Sequence, residues 1–386
     1  MSIKVGNIMS LLLVVMCFTG LSAAAPTTLG PIGTQATIAD FTEGGHLETD
    51  FGVNFMAEWW YLNGDARLVA SDGEKRDIGL FAIMAHQESP MLFSPPDTQL
   101  SHLLTFYGIY FDDGATIFNY TETYIPQAFV GDYIALGTPY VDYTYPDPYD
   151  LKRFYGSALP GYNLNYIFDD MEMDLFFQTN IDKTIDQADQ PLNFTAYEHS
   201  YGTLHGSIIL DGKRYDVTQA EGYMDHMIPV SNDGTWSMSM HGWTWFEVTT
   251  KKYQAVAYAV RGLGDGYDDY SYKHLTLLNK YNGKVLAEYS GNDITIIESD
   301  WIQEGDYNRK RPSVVTFSTS DLDVTINAEN VIYFDQSKPD NIGFVDFMAF
   351  QPDGATIQYN GNIEEGSAFY EYLVSDIGAW LYPPTV

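Results

Sequence analysis

Cysteine is almost absent from the 386-residue chain, and the only one is Cys17. It lies in an apolar stretch from Ile8 to Leu21, which follows Lys4 and precedes Ala23-Ala24-Ala25. A positive end, a short apolar segment and small residues in this order are typical of a secretory signal peptide. We therefore predict a signal peptide at residues 1–25 and a secreted or cell-envelope protein that has no disulfide after its removal.

Basic residues are also scarce. The chain has 19 Lys and Arg but 52 Asp and Glu, and its formal net charge is −33. Such a surface repels phosphate backbones, so we expect no nucleic-acid partner. A solvated acidic surface that keeps an exported protein soluble explains the charge, and cation binding is the alternative. We expect no transmembrane helix once the signal segment is removed.

Several catalytic motifs are missing. The sequence has no G-x-S-x-G, P-loop or G-x-G-x-x-G element, which disfavours serine hydrolase, nucleotide-binding and dinucleotide-binding functions. It also has no H-x-x-x-H or comparable spacing, so a metal site of Asp225, His226 and His241 is a disfavoured alternative. We therefore expect no metal and no dissociable cofactor.

Long helical patterns are absent, and strand signals take their place. Tyr, Phe and Gly are abundant, with 30, 22 and 33 residues, and the stretches "MEMDLFFQ", "YQAVAYAVRG" and "IGFVDFMAF" alternate as strands do. One short helix is predicted at "SAFYEYLV", with Ser367 as its cap. Hairpin turns are predicted at Asp72-Gly73, Asp113-Gly114, Asp211-Gly212, Asn282-Gly283 and Asp353-Gly354.

These features predict an all-β protein built from antiparallel barrels or sandwiches. The length suits two domains, which we place at residues 26–222 and 223–386. The pentapeptide "DGATI", at Asp113–Ile117 and again at Asp353–Ile357, is a weak indication of two related halves. The Pro- and Tyr-rich segment from Thr138 to Leu151 is predicted to be a loop long enough for a lid or rim.

The stretch "EWWYLNG" raises the first functional question. On a strand, Glu58 and Trp60 share one face, while Trp59 and Tyr61 share the other. If the first face points inward, Glu58 is a carboxyl group in an apolar setting with a raised pKa, as a general acid requires. The alternative is an ordinary core strand whose terminal acid reaches solvent.

Two later stretches have the same character. In "AEGYMDHMIP", Tyr223 and Asp225 share a face, and His226 on the other face can orient a group or relay a proton. The alternative there is a structural Asp-His pair. In "WSMSMHGWTWFEV", His241, Trp243 and Trp245 share one face of a strand that is either buried on both sides or lines a cavity.

The order of these three stretches, from Glu58 to Arg261, resembles the carotenoid 1,2-hydratase family, also called the hydroxyneurosporene synthase or AttH-like family. The resemblance implies two lipocalin-like β-barrels with a ligand cavity at or near their junction. It also implies that the family's Tyr-x-Asp acid element corresponds to Tyr223 and Asp225. The family's His-x-Trp element has its nearest counterpart in His199-Ser200-Tyr201, with tyrosine in place of tryptophan.

Together these observations predict an enzyme that needs no cofactor and hydrates, isomerises or cyclises a long apolar, isoprenoid-like molecule. Asp225, or second Glu58, would protonate a carbon–carbon double bond, and His199 or His226 would deprotonate water. Aromatic faces would stabilise the cation by ~0.5–2 kcal/mol each. The alternatives are a non-catalytic carrier of lipophilic, membrane-derived molecules and, third, a glycoside hydrolase. The candidate substrate-binding residues are Trp59, Trp60, Tyr61, Tyr201, His241, Trp243 and Trp245.

Overall fold

The chain folds almost entirely into antiparallel β-strands, which confirms the all-β prediction. The computed structural model describes residues 34–35, 43–53, 55–89, 100–168, 171–180, 184–190, 194–231, 240–262, 269–303, 310–335 and 344–375. The predicted signal peptide lies outside these residues. In the described ranges the helices are short, and none is long and apolar enough to cross a membrane. They are α1 (Glu48–Phe51) and the 3-10 helices Gln127–Asp132 and Gly291–Asp293.

The first sheet has the strand order β5-β4-β3-β2-β12-β11-β9-β8-β7-β6, with β10 pairing to β11 and β1 to β10. The sheet curls, so that Trp60 near its middle packs against Tyr143 at its end. Its strands are β1 (Thr34–Gln35), β2 (Phe55–Ala70), β3 (Lys75–Ser89), β4 (Leu100–Phe111), β5 (Thr116–Pro126), β6 (Val141–Thr144), β7 (Leu151–Ser157), β8 (Gly161–Phe168), β9 (Met171–Thr179), β10 (Thr184–Gln190), β11 (Phe194–Leu210) and β12 (Lys213–Ser231).

The second sheet has the order β16-β15-β14-β13-β22-β21-β19-β18-β17, with β20 pairing to β21. Its strands are β13 (Met240–Thr250), β14 (Tyr253–Gly262), β15 (Tyr272–Asn279), β16 (Val285–Ser290), β17 (Thr295–Gln303), β18 (Lys310–Ser318), β19 (Leu322–Asn327), β20 (Asn330–Asp335), β21 (Phe344–Tyr359) and β22 (Asn362–Ser375).

The two sheets repeat one topology. In each, a four-strand meander begins with a strand that also pairs with the last strand of the sheet, namely β2 with β12 and β13 with β22. This repetition agrees with two lipocalin-like domains. The predicted boundary between residues 222 and 223 falls inside β12, which stays in the first sheet to Ser231, and the second sheet begins at Met240.

The repeated pentapeptide does not mark this duplication. Asp113–Ile117 spans the turn between β4 and β5, whereas Asp353–Ile357 lies inside β21, where the register shifts between Gln351 and Ala355. In the repeated topology β21 corresponds to β11, so the two copies occupy different places. The hairpin expected at Asp353-Gly354 is therefore a bulge, while the other four predicted dipeptides do lie between strands. The turn after β21 is Asn360-Gly361, where both residues have the positive φ of a tight hairpin, 50° and 78°.

Two further local predictions were wrong. The stretch "SAFYEYLV" is part of β22 rather than a helix, because it pairs with β13 on one side and β21 on the other. Its alternate residues then face two different cores, as the period of a strand requires. The segment from Thr138 to Leu151 is not one long lid, because it contains β6, whose Val141 and Tyr143 are buried.

Buried apolar side chains form three groups. One fills the curl of the first sheet, one fills the second sheet, and one, which we call the junction core, joins the two sheets. The Tyr110 hydroxyl donates a 2.7 Å hydrogen bond to the Met348 carbonyl across this junction. Strand β13 is buried along its whole length because its two faces serve the second core and the junction core, as its sequence predicts.

A group of acids lies at the edge of the junction core. Glu247 is buried and accepts hydrogen bonds from Thr249 and Gln254. Nearby, Lys280, in the turn that follows β15, forms an ion pair with Glu221 on β12 of the first sheet. Burial raises the pKa of Glu247 to about 7, although its two hydrogen bonds act in the opposite direction. The folded chain therefore binds this proton more tightly than the unfolded chain does.

We expect Glu247→Gln to change how stability depends on pH. The stabilisation from the raised pKa is complete below about pH 4.5 and is lost as pH rises through about 7, a loss of about 3 kcal/mol. Glutamine keeps the acceptor oxygen and does not titrate. Urea unfolding should show equal stability at about pH 4 and a more stable variant at about pH 8. Glu172→Gln, on the exposed face of β9, is the control, and parallel curves for parent and Glu247→Gln would contradict the assignment.

Candidate functional site

A cavity opens in the junction core between the two sheets. Strands β2, β3, β4 and β12 form one wall, and strands β13, β14, β21 and β22 form the other. About 100 Å³ is available to the centres of water-sized molecules, enough for several waters or part of an organic ligand. Its position is the one that the family resemblance implies. The aromatic residues of its lining are Trp59, Tyr61, Phe106, Trp243, Trp245 and Tyr258.

Aromatic rings from both sheets meet in this cavity. Trp59 stacks on Trp243 with ring centroids 6.4 Å apart, and Tyr61 meets Trp245 edge-on at 5.3 Å. The ring centroid of Tyr223 lies 5.4 Å from that of Trp245. Because a ring face attracts a cation, such walls can stabilise a carbocation without attacking it.

Asp225 is an acid that β12 of the first sheet presents to the cavity. It is buried beside Met227, and the Tyr223 hydroxyl donates a 2.9 Å hydrogen bond to its Oδ2. Burial raises the pKa of Asp225 well above its ordinary value, although the Tyr223 hydrogen bond acts in the opposite direction. Burial therefore favours the protonated form of this carboxyl group, in line with its apolar neighbours in the sequence.

The second sheet adds two acids that sequence analysis missed. Asp346 on β21 and Glu371 on β22 are diagonal neighbours that line the same cavity. Burial raises the pKa of both, and the neighbouring carboxyl of Glu371 raises that of Asp346 further. The Trp243 indole N–H donates a 2.8 Å hydrogen bond to Glu371 Oε1. The signal for Asp346 was an acid inside the alternating apolar stretch "IGFVDFMAF", while the wrong helix prediction concealed Glu371.

Glu58 sits at one end of the cavity, in a cluster of three histidines. Its Oε1 pairs with His46 Nδ1 at 2.8 Å and with His226 Nε2 at 2.7 Å. Its Oε2 accepts the His46 backbone N–H at 2.8 Å and pairs with His86 Nε2 at 2.7 Å. The other ring nitrogen of His86 lies 3.2 Å from Glu88 Oε1.

This cluster contradicts the raised pKa that we expected for Glu58. Burial alone would raise the pKa, but hydrogen bonds with His226, His46 and His86 outweigh it and hold the pKa well below the ordinary value. In turn, Glu58 and Glu88 raise the pKa of His86 to about 9, against the effect of its burial. Glu58 is therefore an ionised anchor and not a proton donor.

Metal binding is the other chemistry that this cluster offers. Ligand atoms of His46, Glu58 and His226 lie within 4.8 Å of one another, and these residue types fit a divalent ion such as zinc. The carboxylate, however, already meets four nitrogen atoms at hydrogen-bonding distance, so the cluster is satisfied without an ion. It is also not the set considered from the sequence, because Asp225 faces the cavity whereas His226 faces Glu58.

Other candidates fall outside the cavity. Trp60 packs in the first core between two histidines, with its ring 4.9 Å from His226 and 6.2 Å from His86. Its indole N–H donates to the Glu43 carbonyl at 3.1 Å. His241 is buried on β13 but is not part of the cavity lining.

The upstream element of the family resemblance is only partly described. His199 and Tyr201 lie on β11, and the His199 backbone pairs with Met224, beside the Tyr223-Asp225 segment. Their side chains lie outside the described part of the structure. Their roles in catalysis and substrate binding therefore stay predictions.

The fold is shared with known proteins, although no family model and no curated protein sequence matches the chain. An AttH candidate from Nitrosomonas europaea is 15% identical, with 86% of this chain and 94% of that one aligned at a TM-score of 0.60. CghA in complex with Sch210972 is 11% identical, covering 83% and 89%, with a TM-score of 0.56. Kievitone hydratase from Nectria haematococca is 9% identical, covering 82% and 88%, with a TM-score of 0.52. The AttH-like resemblance is thus confirmed as a common two-domain, lipocalin-like fold.

Proposed function

We propose that the protein is a cofactor-independent enzyme that acts on a long apolar, isoprenoid-like substrate by protonating a carbon–carbon double bond. Hydration is the favoured reaction. Isomerisation and cyclisation are alternative reactions that begin with the same protonation step. The observation that carries this proposal is the buried carboxyl group of Asp225, which faces an aromatic cavity between two domains and whose pKa is raised by burial. To protonate carbon, a carboxyl group must hold its own proton, and it must be free to donate that proton rather than bind a metal ion.

In the proposed hydration, Asp225 of the cavity supplies the proton that the alkene gains and takes back the proton that water loses. The π electrons of the alkene form a C–H bond with the Asp225 proton, which leaves a carbocation and an aspartate. Rings such as Trp59, Trp243 and Tyr61 stabilise the cation. Water then adds through its oxygen, and its proton returns to Asp225, so that the acid is regenerated.

The roles of the histidines change in this account. His226 pairs with Glu58 on the far side of β12, so it positions the strand that carries Asp225 and does not hold the reacting water. The base for water is the aspartate formed in the first step. His199 remains a second candidate for that role.

The comparison with kievitone hydratase supports hydration, since that enzyme shares the fold and is a hydratase by name. The signal segment further supports the proposal that the enzyme is exported and meets its substrate in the cell envelope or outside it. The sugar-cleaving alternative is less favoured because aromatic and aliphatic side chains dominate the lining. A sugar site needs more polar groups beside its aromatic rings.

Isotope labelling separates the remaining alternatives. The purified protein is incubated with acyclic isoprenoids in deuterated, oxygen-18-labelled water, and the products are analysed by mass spectrometry. Hydration introduces both a carbon-bound deuterium and a heavy oxygen, whereas isomerisation or cyclisation introduces deuterium alone. A carrier introduces neither, and it retains unchanged ligand through purification.

A further inference from the structure

Three buried polar atoms of the cavity lining have no hydrogen-bond partner among the described residues: Asp225 Oδ1, Asp346 Oδ1 and Trp245 Nε1. Their residues are only 3%, 3% and 5% exposed. Buried polar groups of folded proteins nearly always have hydrogen-bond partners. Three such atoms without a partner in one cavity therefore indicate that a ligand or water supplies the missing hydrogen bonds. Asp225 Oδ1 is accounted for by the proposed protonation, and the other two atoms are not.

Asp346 and Trp245 offer opposite hydrogen-bonding capacities. The indole N–H of Trp245 is a donor only and needs an acceptor. Asp346 is hydrogen-bonded to Glu371 within a pair of carboxyl groups. When Asp346 supplies the proton of that bond from Oδ2, its free Oδ1 is a carbonyl-type acceptor that needs a donor.

We propose that Trp245, Asp346 and Glu371 form a hydroxyl-binding subsite, so that the ligand of this cavity is a long apolar alcohol rather than a hydrocarbon. A hydroxyl group both donates and accepts, and so it matches an N–H and a carbonyl-type oxygen. A ketone accepts only, and a hydrocarbon leaves both atoms unpaired.

The surroundings of the subsite support a neutral polar group. Burial raises the pKa of both Asp346 and Glu371, which favours their uncharged forms and disfavours an amine or other cation as the group bound between them. An anionic ligand would find no Lys or Arg side chain among the residues that line this cavity. Most of the remaining lining residues are aromatic or aliphatic, with Phe106 and Leu373 among them, which suits a long carbon chain.

This inference rests on the proposed function for the location of the ligand, but it does not depend on turnover. It is tested by binding of a matched pair, farnesol and the hydrocarbon 2,6,10-trimethyldodeca-2,6,10-triene, which differ only in the hydroxyl group on the isoprenoid chain. Affinities are measured by quenching of tryptophan fluorescence for the full chain and its variants. Circular dichroism and thermal unfolding check that each variant is folded.

The parent protein is expected to bind the alcohol about tenfold more tightly than the hydrocarbon, the selectivity of roughly one well-made hydrogen bond. Trp245→Phe, which keeps an aromatic ring and removes the N–H, should reduce this selectivity to about twofold to threefold. Asp346→Leu should do the same and leave the affinity for the hydrocarbon unchanged or higher. Phe106→Leu is the matched control. It removes part of the apolar cavity wall and should lower the affinity for both ligands equally.

Equal affinity of the parent for both compounds would overturn the subsite and show that water alone completes the orphan atoms, while the proposed function would stand. Full selectivity in Trp245→Phe and Asp346→Leu would also overturn it. If neither compound binds, the isoprenoid premise of the proposed function fails together with the subsite.

Discussion

Asp225→Asn is expected to reduce turnover by a factor of about a thousand while the protein stays folded and still binds its ligand. Asparagine has nearly the same shape as the neutral carboxyl group, and its carbonyl oxygen can still accept the hydrogen bond from Tyr223. It has no acidic proton to give to carbon. Because burial favours the uncharged form of this acid, we expect the substitution to remove no ion pair and to change stability little.

The comparison requires kcat and KM for parent and variant with whichever isoprenoid proves to be turned over. The control is Asp216→Asn, which changes an exposed acid on the same strand, β12. A loss in kcat at unchanged KM assigns Asp225 to the chemical step. Turnover at the parental rate in Asp225→Asn would remove it from the mechanism.

Glu58→Gln is expected to cause the largest loss of stability, about 3–5 kcal/mol. The variant removes the negative charge that three histidines surround and leaves a buried amide that cannot accept all of their hydrogen bonds. The same change loosens the end of the cavity, because Glu58 and His86 line it. Urea unfolding measures the difference, and Glu172→Gln on exposed β9 serves again as the control.

The pH dependence of this loss has a definite sign. The lowered pKa of Glu58 stabilises the fold above about pH 4.5, and this contribution is lost as pH falls. The raised pKa of His86 stabilises the fold below about pH 6.5, and that contribution is lost as pH rises through about 9. Parent and Glu58→Gln should therefore differ most between about pH 4.5 and 6.5. A variant as stable as the parent in that window would show that the cluster does not anchor the fold.

The alternation of side chains between the two faces of a strand was the sequence feature that predicted the site best. In β2 it separated Trp60 from Trp59 and Tyr61, and in β12 it separated Asp225 from His226. The two sides of these strands do face different environments, the cavity and the first core. The period of two is a local property of a strand, so it survives into the fold whatever the partner strands are.

Partners distant in sequence could not be predicted in this way. The histidines around Glu58 lie 12, 28 and 168 residues from it, and only strand order brings His226 beside it. This is why an apolar strand face suggested a raised pKa, while the folded chain lowers it. The same limit explains Glu371, because local propensity favoured a helix where pairing on both edges enforces a strand.

The central claim is that Asp225 is a neutral acid at the pH at which the protein works, and infrared spectroscopy tests it without knowledge of the substrate. The difference spectrum of parent minus Asp225→Asn at about pH 7 is recorded in the carbonyl region. A band from a protonated carboxyl group, present in the parent and missing in the variant, is the predicted result. Carboxylate bands in its place would show that Asp225 is ionised and cannot start the reaction.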